Sequence, residues 1–173
     1  MNNIRLYSIL ITCLIHLSFF AQGKETKVSN EAFNGMLKEL LQHSVTEVLP
    51  VDCNNREEIL YLDTRERKEY DVSHLPNAKW VGYTTFAKKR INNIPKDTKI
   101  VVYCTVGYRS EKIAEKLLKM GYQNVANLYG GIFEWIHSGK NVVNDSITNN
   151  VHTYNKEWAQ WVDGSIANKI YEK

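Results

Sequence analysis

Cysteine is scarce in this chain. Three cysteines in 173 residues, Cys13, Cys53 and Cys104, are too few to staple a small domain through disulfides, so stability has to come from an apolar core. Metal-ligand spacing is missing as well. The five histidines, His16, His43, His74, His137 and His152, are scattered without the short intervals of ligand pairs. There is no glycine-rich nucleotide loop, internal repeat or low-complexity run, so no cofactor is expected. Strong charge bias is absent too: 22 basic against 19 acidic residues leave a formal charge of +3 with both signs interleaved, which argues against nucleic acid as a partner. The densest basic runs, Arg65-Glu66-Arg67-Lys68 and Lys88-Lys89-Arg90, have the length of ordinary solvated faces.

What is present begins with an address. Arg5 supplies a positive start, residues 6–20 form an apolar stretch, and Ala21-Gln22-Gly23 offers small residues suited to cleavage. The stretch falls short of the roughly 20 residues of a permanent bilayer span, so residues 1–21 read as a cleaved secretion signal, with an uncleaved N-terminal anchor as the main rival. Cys13 lacks the small preceding residues of a lipidation site. The expectation is a secreted, periplasmic protein with no membrane attachment after cleavage and with Cys53 and Cys104 as its remaining cysteines.

Phe33, Met36, Leu37, Leu40 and Leu41 then recur at helical spacing, which predicts an amphipathic helix within residues 24–44. A catalytic domain is expected over residues 45–140. Its strands are predicted at Ile59-Leu60-Tyr61-Leu62, Ala78-Lys79-Trp80-Val81, Ile100-Val101-Val102-Tyr103 and Val125-Ala126-Asn127-Leu128. Thr84 or Thr85 can cap a short helix running to Ile91. Ile113, Ala114, Leu117 and Leu118 mark another helix that Gly121 would close. Ile132, Phe133, Trp135 and Ile136 suggest a last one, stopped by Gly139. Strands alternating with helices imply an α/β fold with a parallel sheet covered on both faces. Residues 141–173 are expected to be a polar loop followed by an aromatic tail or helix, with Tyr154, Trp158, Trp161 and Val162 docking it.

Cys104 directly follows the clearest strand and directly precedes a helix. In open parallel sheets ligands bind beyond the carboxyl ends of the strands, and a loop there turns its free amides inward as an anion cradle. The amides of Thr105, Val106, Gly107, Tyr108, Arg109 and Ser110 would form that cradle, with Gly107 relieving the backbone and Ser110 capping the helix. Helix terminus, amides and the Arg109 guanidinium all favour a thiolate at Cys104. A thiolate can take up an outer sulfur atom as a persulfide, and the same donors would stabilise its charge. An inert buried cysteine is the bland alternative, which the flanking Gly107 and Arg109 disfavour.

Cys104, Gly107 and Arg109 match the Cys-x-x-Gly-x-Arg loop common among rhodanese-like proteins, and three further blocks resemble that family in order. These are Leu62-Asp63-Thr64-Arg65-Glu66 with Glu69-Tyr70, then His74-Leu75-Pro76-Asn77-Ala78, then Asn127-Leu128-Tyr129-Gly130-Gly131-Ile132 with Trp135. The resemblance spans about residues 58–138. It implies a sheet of about five parallel strands and a sulfurtransferase moving sulfane sulfur from a small donor, thiosulfate-like or a persulfide, to a thiol, a cyanide-like acceptor or an acceptor protein. It also implies that Asp63 and Arg65 support the loop, as a structural ion pair or in contact with substrate. Ser73 and Asn77 stand where the family often has glycine, and no lysine accompanies the cysteine, a feature of forms that favour thiosulfate.

Two other classes fit less well. Cysteine phosphatases and arsenate reductases use a similar loop with one more residue between Cys and Arg, enclosing a larger cradle. A non-catalytic partner- or anion-binding module would not need to keep both Cys104 and Arg109. A reversible Cys53–Cys104 disulfide is a further option.

Overall fold

The structure is a computed structural model that describes residues 27–28, 30–53 and 58–171. The secretion signal expected at residues 1–21 lies outside the described residues. Five parallel strands form the central sheet: β1 (Glu47–Val48), β2 (Ile59–Asp63), β3 (Lys79–Trp80), β4 (Lys99–Tyr103) and β5 (Asn124–Leu128). Their order is β1-β5-β4-β2-β3. β4 is therefore flanked on both sides, pairing Asp63 with Tyr103 and Val102 with Asn127. A strand so placed is buried on both faces, which explains why Ile100 to Tyr103 is continuously apolar.

Alternation along β4 divides the core in two. Val101 and Tyr103 face one cluster, shared with Phe33 and Leu37 of helix α1 (Glu31–Leu40) and with Ile132, Phe133 and Trp135 of a late helix, Gly131–His137. Ile100 and Val102 face the other, shared with Ile113, Ala114 and Leu117 of the helix Tyr108–Lys119. With the short helix Arg67–Val72 counted as α2, these last two are α4 and α3. Asn30 starts α1 by accepting the Phe33 N–H at 2.9 Å. The segment leaving α1 is tied to α3 by buried Glu111, which accepts the Gln42 and Ser44 amides at 3.0 and 2.9 Å.

Three expectations change. The helix expected up to Ile91 is only a 3-10 turn at Lys88–Arg90. The Thr84 hydroxyl donates to Glu66 at 3.0 Å instead of capping, and Arg90 is drawn over the Trp80 ring at 4.4 Å. The loop expected after residue 140 holds two small ribbons, β6 (Val142–Val143) antiparallel to β7 (Ile147–Thr148) and β8 (Asn150–His152) parallel to β9 (Asn168–Ile170). The tail contains no α-helix among the described residues. Its aromatics occupy a 3-10 turn, Trp158–Trp161, opened by the Asn155 side chain accepting the Trp158 N–H at 2.9 Å. The Trp161 ring lies 5.6 Å from Phe33, so the tail packs on the same core as α1.

Candidate active site

Chain direction places Cys104 at the carboxyl end of the most central strand, where β4 gives way to α3. Gly107 caps α3 in a left-handed conformation, φ 119°, a backbone state that L side chains avoid. This turn swings the Gly107 N–H back to the sulfur, which it reaches at 3.1 Å. Cys104 Sγ thus lies at the N-terminal end of a 12-residue helix, where the dipole and free amides favour negative charge.

The outer side of the loop is fastened by α4. Its N–H groups at Ile132 and Phe133 donate to the carbonyls of Cys104 and Thr105 at 2.9 and 3.3 Å. The approach is so close that a Cβ at Gly131 would lie 2.5 Å from the Cys104 carbonyl. With the Cys104 and Thr105 carbonyls taken up by α4, the Gly107 N–H faces the sulfur.

Ser110 does not cap α3, because Gly107 holds that position and the Ser110 hydroxyl lies in the first turn. It donates to Asn127 Oδ1 at 2.7 Å, with the Gly107 carbonyl at 3.1 Å, and Asn127 Nδ2 donates to the same carbonyl at 3.1 Å. Asn127 is fully buried in β5 and was not singled out from the sequence; the available signal was a polar residue inside an apolar strand.

Arg109 is committed further than the sequence implied. Its two terminal nitrogens donate to the Glu69 carboxylate at 2.6 and 2.8 Å, and one also reaches Thr105 Oγ1 at 2.8 Å. Thr105 in turn donates to Glu69 at 3.1 Å. Burial alone would raise the Glu69 pKa, but the hydrogen bonds and charge of Arg109, with Arg65 behind it, bring it down to about 2. Arg109 is raised despite its own desolvation, by its hydrogen bonds to Glu69 and the charge of that carboxylate. A two-pronged grip of Arg109 on a sulfonate would require displacing Glu69, because both terminal nitrogens are already taken by that carboxylate. Glu69 is the second site residue that the sequence reading passed over, although it lies in one of the family blocks.

Asp63 and Arg65 are both inaccessible to solvent. Arg65 grips Asp63 through Nε and Nη2 at 2.7–3.1 Å and the Ser73 carbonyl at 2.6 Å. Of the two roles left open for this pair, the structural ion pair is the one the geometry allows, since no ligand can reach it. Cys53 is also buried, with its Sγ 3.5 Å from the Leu49 carbonyl, and both Cys53 and Cys104 are thiols.

Above Cys104 opens a cavity of about 580 Å³. Cys104, Thr105 and Val106 form its floor, with Arg109 and Glu66 as its charged groups. Tyr83, Tyr108, Tyr154 and Trp158 supply aromatic walls, with Leu40 from α1 beside them. Cys104 is 1% exposed, so only a ligand that enters the cavity meets the sulfur. Among the described residues no cluster of three or more His, Cys, Asp or Glu side chains could hold a metal.

A buried cysteine thus sits where the central strand of a parallel sheet gives way to a helix, on the floor of a cavity in an α/β scaffold. The comparisons make the class specific. The family model described as a rhodanese-like domain matches residues 51–138, and the chain belongs to that family. A rhodanese-related protein from Thermoplasma volcanium superposes with a TM-score of 0.53 and 26% identity, covering 58% of this chain and 99% of that one. A protein from Bacillus halodurans gives a TM-score of 0.54 over 68% of this chain and 88% of its own, at 24% identity, and so supports the fold. Among curated proteins, the tRNA uridine(34) hydroxylase of Hamiltonella defensa is 34% identical over 125 residues, 69% of this chain and 33% of the relative. The adenylyltransferase and sulfurtransferase UBA4 of Candida albicans is 35% identical over 88 residues, 47% of this chain and 20% of the relative. The chain thus matches a third or less of the length of these relatives, both of which are named as enzymes.

Proposed function

We propose that the chain is a sulfurtransferase that carries sulfane sulfur as a persulfide on Cys104. The observation that carries this reading is that Cys104 lines the cavity and its Sγ accepts the Gly107 N–H at 3.1 Å at the start of α3. The Cys104 thiolate attacks the outer sulfur of a donor. A new S–S bond forms, the donor's bond to that sulfur breaks, and its electron pair leaves with the donor residue. A thiophilic acceptor, a thiol or cyanide, then attacks the outer sulfur and returns Cys104 to the thiolate. The Gly107 N–H and the α3 terminus stabilise whichever sulfur bears the negative charge, while Arg109, held by Glu69, adds a fixed positive charge at the cavity wall.

The sulfurtransferase named in UBA4 supports this reading. Hydroxylation is not part of the proposal, because two thirds of the hydroxylase lies outside the match. The apolar stretch at residues 6–20, followed by small residues, supports secretion to the periplasm before the domain acts.

The test is intact-mass measurement of the purified protein after incubation with thiosulfate and with organic sulfane donors, beside Cys104→Ser. The expected result is the gain of one sulfur atom, reversed by cyanide or excess thiol and absent from the variant. A wild-type protein that gains no sulfur from any donor would sink the proposal.

A further inference from the structure

The cavity over Cys104 is larger and more apolar than transfer of sulfur from a small inorganic dianion requires. Its volume of about 580 Å³ lies within the roughly 300–1,000 Å³ of pockets that enclose drug-sized molecules. The positive charge in it is already half answered, since Arg109 is paired with Glu69 at 2.6 Å. A dianion such as thiosulfate therefore meets little uncompensated charge and a largely aromatic wall.

Tyr83 and Tyr108 of that wall lie inside the family match, which covers residues 51–138, but the rest of it comes from outside. Tyr154 and Trp158 belong to the C-terminal ribbon and Leu40 to α1. The ribbon is anchored on both sides of Tyr154. Val151, His152 and Thr153 are buried, the Thr153 N–H donates to the Ile170 carbonyl at 2.8 Å, and Trp158 packs against the core. Tyr154 itself has φ 68°, in the left-handed region that L side chains rarely adopt, and its N–H is held by His152 Nδ1 at 3.0 Å. The positive φ centres a tight turn in which the Asn155 N–H donates to the Thr153 carbonyl at 2.8 Å, and the side chain that the turn presents is 51% exposed and so is not spent on the core. The conformation holds the ring over Arg109, with 5.2 Å from the guanidinium carbon to the ring centre, at the mouth of the cavity. Local strain of this kind is kept where the surrounding structure imposes a geometry.

We propose, resting on the sulfur-transfer reading above, that Tyr154 and Trp158 select the donor. The preferred substrate is a small organic sulfane-sulfur compound carrying an aromatic or similarly bulky apolar group. Benzenethiosulfonate serves as the probe. The Cys104 thiolate bonds to its outer sulfur, the bond from that sulfur to the sulfonyl sulfur breaks, and benzenesulfinate leaves with the electron pair, so charge is conserved. Methanethiosulfonate reacts identically and differs only in lacking the ring.

The experiment compares kcat/KM for the two donors with cyanide as acceptor, each normalised to its uncatalysed reaction with a simple thiol. Wild type is expected to favour the benzene compound at least about tenfold, the discrimination an apolar pocket can reach. Tyr154→Ala and Trp158→Ala are each expected to cut that ratio about threefold or more, with thermal melts reporting the fold of each. Should Trp158→Ala not fold, the ratio in Tyr154→Ala and competitive inhibition of wild type by benzenesulfinate decide the matter. Equal use of both donors by wild type, or an unchanged ratio in Tyr154→Ala, overturns the donor selection while leaving sulfur transfer intact. Failure of every donor to load Cys104 removes both.

Discussion

Replacing Glu69 by Gln tests whether the loop is held by a buried charge pair, and its magnitude follows from the geometry. Glu69 is inaccessible and paired to Arg109 at 2.6 Å, with its pKa lowered from 4.5 to about 2. A carboxyl whose folded pKa is depressed contributes stability above its unfolded pKa and loses it as pH falls through the folded value. From 4.5 to about 2, at ~1.4 kcal/mol per unit, the contribution at pH 7 is about 3 kcal/mol. About 2 kcal/mol of it is gone by about pH 3. Glu69→Gln removes the charge at every pH, so it is expected to be less stable than wild type by about 3 kcal/mol at pH 7 and by only about 1 at about pH 3. Urea unfolding followed by tryptophan fluorescence reads this directly. With a slope of ~2 kcal/mol per molar, the midpoints should differ by more than about 1 M at pH 7 and by about half that or less at pH 3. A gap that stays constant between the two pH values would refute the ion-pair account, and so would its widening in acid.

Two other substitutions probe what lies behind the loop. Gly131→Ala should cost about 3 kcal/mol or more, or prevent folding, because its Cβ would lie 2.5 Å from the Cys104 carbonyl in a backbone at φ 57°. Gly139→Ala, at φ 75° with open space around it, should cost only about 1 kcal/mol; equal melting temperatures for the two variants would show that close approach to the loop does not matter. Asp63→Asn leaves the inaccessible Arg65 without its counter-ion and is expected to destabilise by about 3–5 kcal/mol, read as a fall in the urea midpoint. A change of less than about 1 kcal/mol would show that water reaches Arg65 after all.

The parts of the molecule that could be read from the sequence are those whose signal is local. β4 announces itself as an unbroken apolar run, α1 and α3 as helical periodicity, and the loop as Cys104, Gly107 and Arg109 at fixed spacing. β1 could not be read, because it has two residues and exists only through its pairing with Leu128 and Asn127. The C-terminal ribbon escaped for a related reason. Its three-residue strands are partly polar, and Asn150 finds its ladder partner at Asn168, a pairing that no short window contains. The site divides the same way. Glu69 acts on Arg109 from 40 positions away and Asn127 on Gly107 from 20. Neither residue type betrays its role, since an acid in a short helix and an asparagine in a strand acquire meaning only once the sheet sets them against the loop. The Ser110 expectation missed because left-handed Gly107 occupies the capping position and turns the serine toward Asn127.

Buried charges are costly, and a buried ion pair is weak evidence of stabilisation by itself. Here the charges form an ordered series. Asp63 holds Arg65, Arg65 acts on Glu69, and Glu69 holds Arg109, which lines the same cavity as Cys104. Signs alternate along the series, from the fully inaccessible pair at the end of β2 to the cavity wall. A lone arginine beside the cysteine would swing with solvent and with each ligand. An arginine gripped through two nitrogens by a carboxylate, itself fixed by the Glu66 N–H at 2.9 Å and the Thr105 hydroxyl at 3.1 Å, is held in one position by the protein alone. Preorganisation of this kind lets fixed charge stabilise a developing anion without reorganising during the reaction. It also explains why the loop tolerates so acidic a neighbour: Glu69 lowers the net positive charge at the site, but it sets where the remaining charge points. Under the proposed sulfur transfer, recognition of the donor falls to the apolar walls, and the wall that stands over Arg109 is Tyr154.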